Sequence, residues 1–143
     1  MTVRKATTEK MRQDALKIRN DVFVVEQHVA PELEWDEFDQ KPETLMFVDY
    51  DMDETPLSTG RLRILPEYGK VERICTQAFA RGKGSGRKIM EAIENEARIQ
   101  GVTKLKLGAQ VTAIPFYEKL GYEVCSDIFL DAGIDHKEMQ KQL

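Results

Sequence analysis

The run Thr76-Gln77-Ala78-Phe79-Ala80-Arg81-Gly82-Lys83-Gly84-Ser85-Gly86-Arg87-Lys88-Ile89-Met90 decides how this chain is read. An apolar, strand-like stretch (residues 71–76) precedes the glycines, and an amphipathic helical pattern follows them. Glycine lets the backbone turn tightly and lets a ligand come close. A helix starting here aims its unpaired N–H groups and the positive end of its dipole at the mouth of the loop. That geometry binds phosphate. Arg81, Lys83, Arg87 and Lys88 add positive charge there, in a chain whose formal net charge is −4. The pattern lacks the Gly-Lys-Ser/Thr of a Walker loop, and a dinucleotide fingerprint needs a third glycine where Arg87 stands. A glycine-rich turn made only for structure is the alternative.

Outward from the loop, apolar spacing predicts the other elements. Residues 2–6 read as a strand. Thr8 caps a helix running to about residue 24, with Met11, Ala15, Ile18 and Val22 as its stripe. Residues 32–39 form an acidic loop or short helix. Strands are expected at 44–50, 57–65 and 71–76, separated by polar turns. The helix after the loop buries Ile89, Met90, Ile93 and Ala97 and stops at Gly101. A strand at 103–107, a short helix at 112–120, strand-like pieces at 122–126 and 128–130, and a last strand at 136–139 complete the chain. The order β-α-β-β-β-α-β-α-β predicts an α/β (α+β) fold with a mixed sheet.

Bulk properties narrow the class. The 143 residues suit one domain spanning 1–143 with a real core. The acidic balance argues against general nucleic-acid binding. There is no long apolar run for a membrane helix and no apolar signal core after Met1. Cys75 and Cys125 lack metal-type spacing, so free thiols in a reducing cytoplasm, and no metal, are expected.

Arg81-x-x-Gly84-x-Gly86 resembles the pyrophosphate loop of the GNAT N-acetyltransferase family, whose members hold coenzyme A. Gln110-Val111-Thr112-Ala113-Ile114-Pro115-Phe116-Tyr117-Glu118-Lys119-Leu120-Gly121-Tyr122 resembles the family's second hallmark, with Gln110 in place of the usual Asn and Tyr122 in place of Phe. Residues 18–27, the acids Glu34, Asp36 and Asp39, and the tail 131–139 are similar to the bacterial ElaA/YjcF-like subgroup. Within that tail Ala132 replaces an acid and Asp135 a proline.

The resemblance implies a single GNAT-like domain. Its mostly antiparallel sheet has 6–7 strands, one pair of them splayed. It also implies transfer of an acetyl group from acetyl-CoA to a primary amine of a small molecule or exposed peptide. Backbone N–H groups of Gly82, Lys83, Gly84, Ser85, Gly86 and Arg87, beside Arg81, would hold the pyrophosphate. The edges Ile74, Cys75, Thr76 and Gln110, with Phe116, would hold the pantetheine arm. An N–H near Cys75 or Thr76 would polarise the thioester, and one such donor contributes about 3 kcal/mol in the transition state.

Tyr117 is the candidate general acid and Glu72 the candidate base; a packed tyrosine and a surface ion pair are the alternatives. His28 and His136 could move protons at neutral pH, or be structural. Glu26, Asp36 and Asp39 would border the acceptor site, or belong to a solvated acidic loop. A homodimer is implied by the family alone. A non-catalytic acyl-CoA sensor, transfer of a longer acyl group and an acyl-enzyme on Cys75 are the rival readings.

Overall fold

Strand β1 (Thr2–Lys5) leads into helix α1 (Glu9–Arg19), whose start is capped by Thr8 accepting the Met11 N–H at 3.2 Å. The computed structural model describes residues 2–143. The helix expected to run to residue 24 re-winds at its end. Asn20–Glu26 coil more widely, with the Gln27 N–H reaching back to the Val22 carbonyl at 3.0 Å. The valines at 22, 24 and 25 crowd an ordinary α turn, and such wide turns recur at functional sites. His28 takes a left-handed φ of 61° and Val29 closes onto the Phe23 carbonyl at 2.8 Å, so His28 caps this coil.

The acidic segment follows as α2 (Pro31–Glu34) and a tight turn, Glu37–Gln40, boxed by Asp36 and Asp39. Then come β2 (Leu45–Tyr50), β3 (Pro56–Ile64) and β4 (Gly69–Thr76). The loop gives way to α3 (Ser85–Ile99), β5 (Lys104–Gln110) and α4 (Ile114–Lys119). The chain ends with β6 (Glu123–Val124), β7 (Phe129–Asp131) and β8 (Ile134–Gln142). Among the described residues, no helix is long and apolar enough to cross a membrane.

Among the described residues the sheet has eight strands, one beyond the expected six to seven, in the order β1-β2-β3-β4-β5-β8-β6, with β7 also on β8. Every pairing is antiparallel except β4 with β5. Helices cover both faces, and β2 shows why its apolar run is unbroken. Met46, Val48 and Tyr50 pack with Ala15, Ile18 and Val22 on the α1 side. Phe47 packs with Ile89, Met90, Ile93 and Ala97 on the α3 side. The α3 stripe is the one its spacing predicts. The last strand is nine residues long where four were expected, because pairing outweighs its polar sequence. β8 bonds to β5 from Gln110↔His136 to Lys104↔Gln142, and its other edge takes β6 and β7.

Two features open the sheet. β4 and β5 pair only from Gly69↔Leu105 to Val71↔Leu107, after which each follows its other neighbour. In the β3–β4 ladder, Thr59 pairs with Cys75 but Arg61 with Glu72, so β4 carries one extra residue. Arg73 sits at that bulge with a left-handed φ of 59°. A bulged strand bends and twists, which carries the end of β4 away from β5.

The β7–β8 hairpin turns through Ala132 and Gly133, both at positive φ (51° and 77°). Such a turn prefers Asn-Gly, and a non-glycine residue in the left-handed region is strained by about 1–2 kcal/mol. Ala132→Asn is therefore expected to raise stability by about 0.5–1 kcal/mol in urea unfolding. A loss of stability would mean the turn is not of this type.

Candidate active site

One cavity of about 610 Å³ lies where the loop, the diverging ends of β4 and β5, α4 and the widened coil meet. The loop supplies its rim. Gly82 and Gly84 have φ of 79° and 86°, and nothing stands within 4 Å of where either would carry a Cβ. Glycine is needed here for the backbone angle, and the surface around it is open. The Lys88 N–H returns to the Gly84 carbonyl at 3.1 Å. The N–H groups of Ser85, Gly86 and Arg87, one turn earlier, therefore have no helical partner. They form an anion cradle at the end of a 15-residue helix. A Cβ on Gly86 would meet Thr76 Oγ1 and Phe116 Cζ, both at 3.4 Å, so Gly86 is part of the floor.

Beneath the cradle lies a buried polar group that sequence reasoning missed. The Ser85 hydroxyl donates to Asp49 Oδ2 at 2.7 Å, and the Ser58 and Ser85 hydroxyls lie 2.5 Å apart. Asp49 is fully buried, and among the described residues its Oδ1 has no partner. A carboxylate at the positive end of α3 favours the helix and fixes its first turn. The signal was a charged residue inside the apolar run Phe47-Val48-Asp49-Tyr50.

The diverging strands supply the walls, including Ile74, Cys75, Thr76 and Gln110. The Gln77 N–H bonds across to the Leu57 carbonyl at 2.8 Å. By the alternation of strand N–H groups, the Thr76 N–H faces the gap. Gln110 Nε2 donates to Gln27 Oε1 at 2.9 Å, tying β5 to the coil. Arg81 and Glu26 both line the cavity, but they hold each other through two bonds of 2.6 and 2.7 Å. That hydrogen bond holds the Glu26 carboxyl below its usual range. Lys83 is exposed and lies outside the cavity lining.

Tyr117 closes the inner end. It is buried and meets Phe116 edge-on at 5.0 Å and Tyr122 at 6.0 Å. Among the described residues its hydroxyl has no protein hydrogen-bond partner, and the residue lines the cavity. Burial, with the neighbouring Cys75, pushes its pKa well up, so the phenol keeps its proton. Burial pushes the Cys75 thiol up as well, with the Glu34 charge adding to it. A thiol held protonated is a poor nucleophile.

Glu72, Asp36 and Asp39 are not brought to this cavity. They belong to a network of four guanidiniums and four carboxylates. Arg61, 1% exposed, donates to Asp36 at 2.7 and 2.8 Å, to Asp39 at 2.9 Å and to Glu72 at 2.9 Å. Arg19, also 1% exposed, holds Asp39 at 2.6 Å and Glu34 at 2.7 Å. Arg63 holds Glu72 at 2.7 Å, and Arg73 reaches Glu34 and Asp36, both at 3.2 Å.

Burial alone would raise all four carboxyls. For Glu72 the Arg63 bond and the Arg61 charge outweigh it. Arginine bonds do the same for Asp36 and Asp39, so these three sit below their usual range. For Glu34 burial wins and the pKa rises despite Arg19 and Arg73. Asp36 and Asp39, expected to border the acceptor site, instead neutralise two buried arginines. Arg19 and Arg61 gave no signal, because each falls on an element face that spacing alone marks as ordinary.

A second, smaller cavity of about 90 Å³ adjoins the first and shares Phe23 and Gln110 with it. It is also lined by Glu34, Arg73, Asp131 and His136. The His136 ring stacks on Phe129 at 5.7 Å, and its Nδ1 lies 2.7 Å from the Ile134 carbonyl oxygen.

Comparison with known proteins gives this geometry its context. Residues 6–143 match the family model described as "Acetyltransferase (GNAT) domain". The Bacillus subtilis (strain 168) protein YjcF, described as an uncharacterized N-acetyltransferase, is 43% identical over 95% of this chain and 96% of its own length. A crystal structure from Lactobacillus plantarum superposes with a TM-score of 0.91 at 29% identity, covering 99% of this chain and 97% of its own. An acyl-CoA N-acyltransferase from Pseudomonas aeruginosa superposes at 0.85 with 26% identity, covering 98% of both chains. With a loop open to anions, a splayed sheet and a family match over nearly its whole length, the chain belongs to the GNAT acetyltransferases.

Proposed function

We propose that this acyltransferase moves an acetyl group from acetyl-CoA to a primary amine of a small molecule or exposed peptide, by direct attack with both substrates bound. One observation carries the reading. The large cavity joins the open N-terminus of α3 to the unpaired edges of β4 and β5 and ends at Tyr117. Those features fit a pyrophosphate, an amide-bearing arm and a thioester in that order. Bound there, acetyl-CoA supplies the activated carbonyl.

The chain's residues do the rest. The N–H groups of Ser85, Gly86 and Arg87 hold the pyrophosphate, and the free edges of β4 and β5 hold the arm. The Thr76 N–H polarises the carbonyl, a contribution of about 3 kcal/mol. Tyr117 acts by hydrogen bonding. A phenol near pKa 10 gives its proton to a thiolate of pKa about 8.5 uphill, by about 2 kcal/mol. Burial, by pushing the phenol higher, steepens that climb. The hydroxyl therefore steadies the leaving sulfur, and the proton comes from the amine. In this reading Glu72, held by Arg61 and Arg63, is structural rather than a base. Both cysteines are free thiols, which suits a reducing cytoplasm.

The test is intact mass together with thiol release. Incubation with acetyl-CoA alone is expected to leave the protein mass unchanged, and adding primary amines is expected to raise thiol release. Acetyl mass on Cys75 would replace direct attack with an acyl-enzyme. Thiol release indifferent to every amine would overturn transfer.

A further inference from the structure

The smaller cavity has a chemistry of its own. Its 90 Å³ is about three times the liquid volume of a water. That admits the aminomethyl end of a chain. Glu34, Asp131 and Arg73 are its charged lining; Glu34 is already held by arginines, so Asp131 is the carboxylate left to meet a cation. Glu34 Oε2 takes Arg19 Nε at 2.7 Å and Arg73 Nε at 3.2 Å. Asp131 has no ion pair among the described residues and is exposed. Val29, Leu33 and Ile134 offer apolar wall to methylene groups.

His136 completes it. The Ile134 carbonyl can only accept, so His136 Nδ1 must carry the hydrogen of their 2.7 Å bond. The neutral ring then keeps its lone pair on Nε2. Glu34 from α2, Arg73 from β4 and Asp131 from β7 are the charged groups that share the cavity with it. His136 pairs in register with Gln110, which lines both cavities, so the two sites meet at the end of β5.

We infer that the smaller cavity is the acceptor site for the ammonium end of a primary aliphatic amine, with His136 Nε2 receiving its proton. This deepens the acetyl-transfer reading and rests on it. The ammonium gives one proton to Nε2, and the freed nitrogen lone pair forms the C–N bond on the thioester carbon. The C–S bond breaks, and its electron pair leaves with sulfur. The second proton passes from nitrogen to the thiolate, and His136 returns the first to solvent. The sum is ammonium plus thioester giving amide, thiol and one proton. The carboxylate that draws the cation in also raises its pKa, which is why a base must stand beside it.

Two probes separate this role from a structural one. Ethanolamine is protonated at neutral pH, whereas hydroxylamine is uncharged and needs no base. The variant is His136→Asn, whose amide can still donate to the Ile134 carbonyl but offers no Nε2. Its turnover with ethanolamine is expected to fall about 100-fold or more. Turnover with hydroxylamine, above the uncatalysed rate, should change less than about threefold, and free imidazole should restore part of the ethanolamine rate. Equal losses with both probes, or no loss, would overturn the assignment.

A second measurement does not depend on acetyl-CoA. Imidazole nitrogen NMR of the wild type should show the Nδ1–H tautomer at His136 and a shift of Nε2 on adding ethanolamine. The opposite tautomer, or an unmoved Nε2, would overturn the acceptor site even if neither probe is turned over. Failure of acetyl-CoA to bind would instead count against the acetyl-transfer reading, leaving the NMR result to decide the amine site.

Discussion

Arg61→Met is expected to lower stability by about 3–5 kcal/mol, the range for removing one partner of a buried ion network. Arg61 is 1% exposed and touches three carboxylates. Methionine fills much of the same volume, so little of the loss is packing. After the change Asp36 keeps Arg73, Asp39 keeps Arg19 and Glu72 keeps Arg63. One negative charge in the network is then unmatched inside the protein, and that desolvated charge is the source of the effect. With a urea slope near 2 kcal/mol/M, the midpoint should fall by about 2 M. Arg61→Lys should recover little, because an ammonium cannot fork to several carboxylates. A midpoint change below about 0.5 M would mean that water reaches the network and that the arginine is dispensable.

The network also sets the acid limb of stability. Asp36, Asp39 and Glu72 have folded pKa values below their unfolded ones. Their contribution is present above about pH 4 and is lost as pH falls through the folded values. Glu34 runs the other way, because its folded pKa is raised: its contribution is lost as pH rises through that value.

Tyr117→Phe is expected to lower turnover about 100-fold while leaving coenzyme A affinity within about threefold. The hydroxyl has no protein partner to abandon, and the ring contacts with Phe116 and Tyr122 survive in phenylalanine. The fold should therefore be intact, and the loss should fall on the step in which the sulfur departs. Thiol release at saturating acetyl-CoA reads this directly. Unchanged turnover would remove Tyr117 from the reaction. Loss of cofactor binding instead would make it a packing residue.

Local chemistry was legible in the sequence wherever it was contiguous. The loop from Arg81 to Arg87, the α3 stripe and the capping by Thr8 each follow from neighbouring residues, so propensity and spacing reveal them. Most of the residues expected to hold the acyl donor line one cavity, because strand, loop and helix are consecutive in the chain. What spacing could not show depends on residues far apart. The bulge at Arg73 is a mismatch between two strands, visible only in the ladder. The acids at 34, 36 and 39 look solvated until Arg19 and Arg61 arrive from other elements. The length of β8 comes from neighbours on both edges rather than from its own polar residues.

The most direct test of the account is calorimetric titration of the wild type and of Gly86→Asp with acetyl-CoA. Aspartate in the first turn of α3 favours the helix through its dipole, so the variant should fold. Its carboxylate would stand beside the Thr76 and Phe116 side chains, where the cradle meets the cavity floor. The account predicts micromolar binding by the wild type and at least a 100-fold weaker affinity for the variant, roughly 3 kcal/mol or more. No binding by the folded wild type, or equal binding by both, would contradict the claim that the α3 cradle and its cavity are the acyl-donor site.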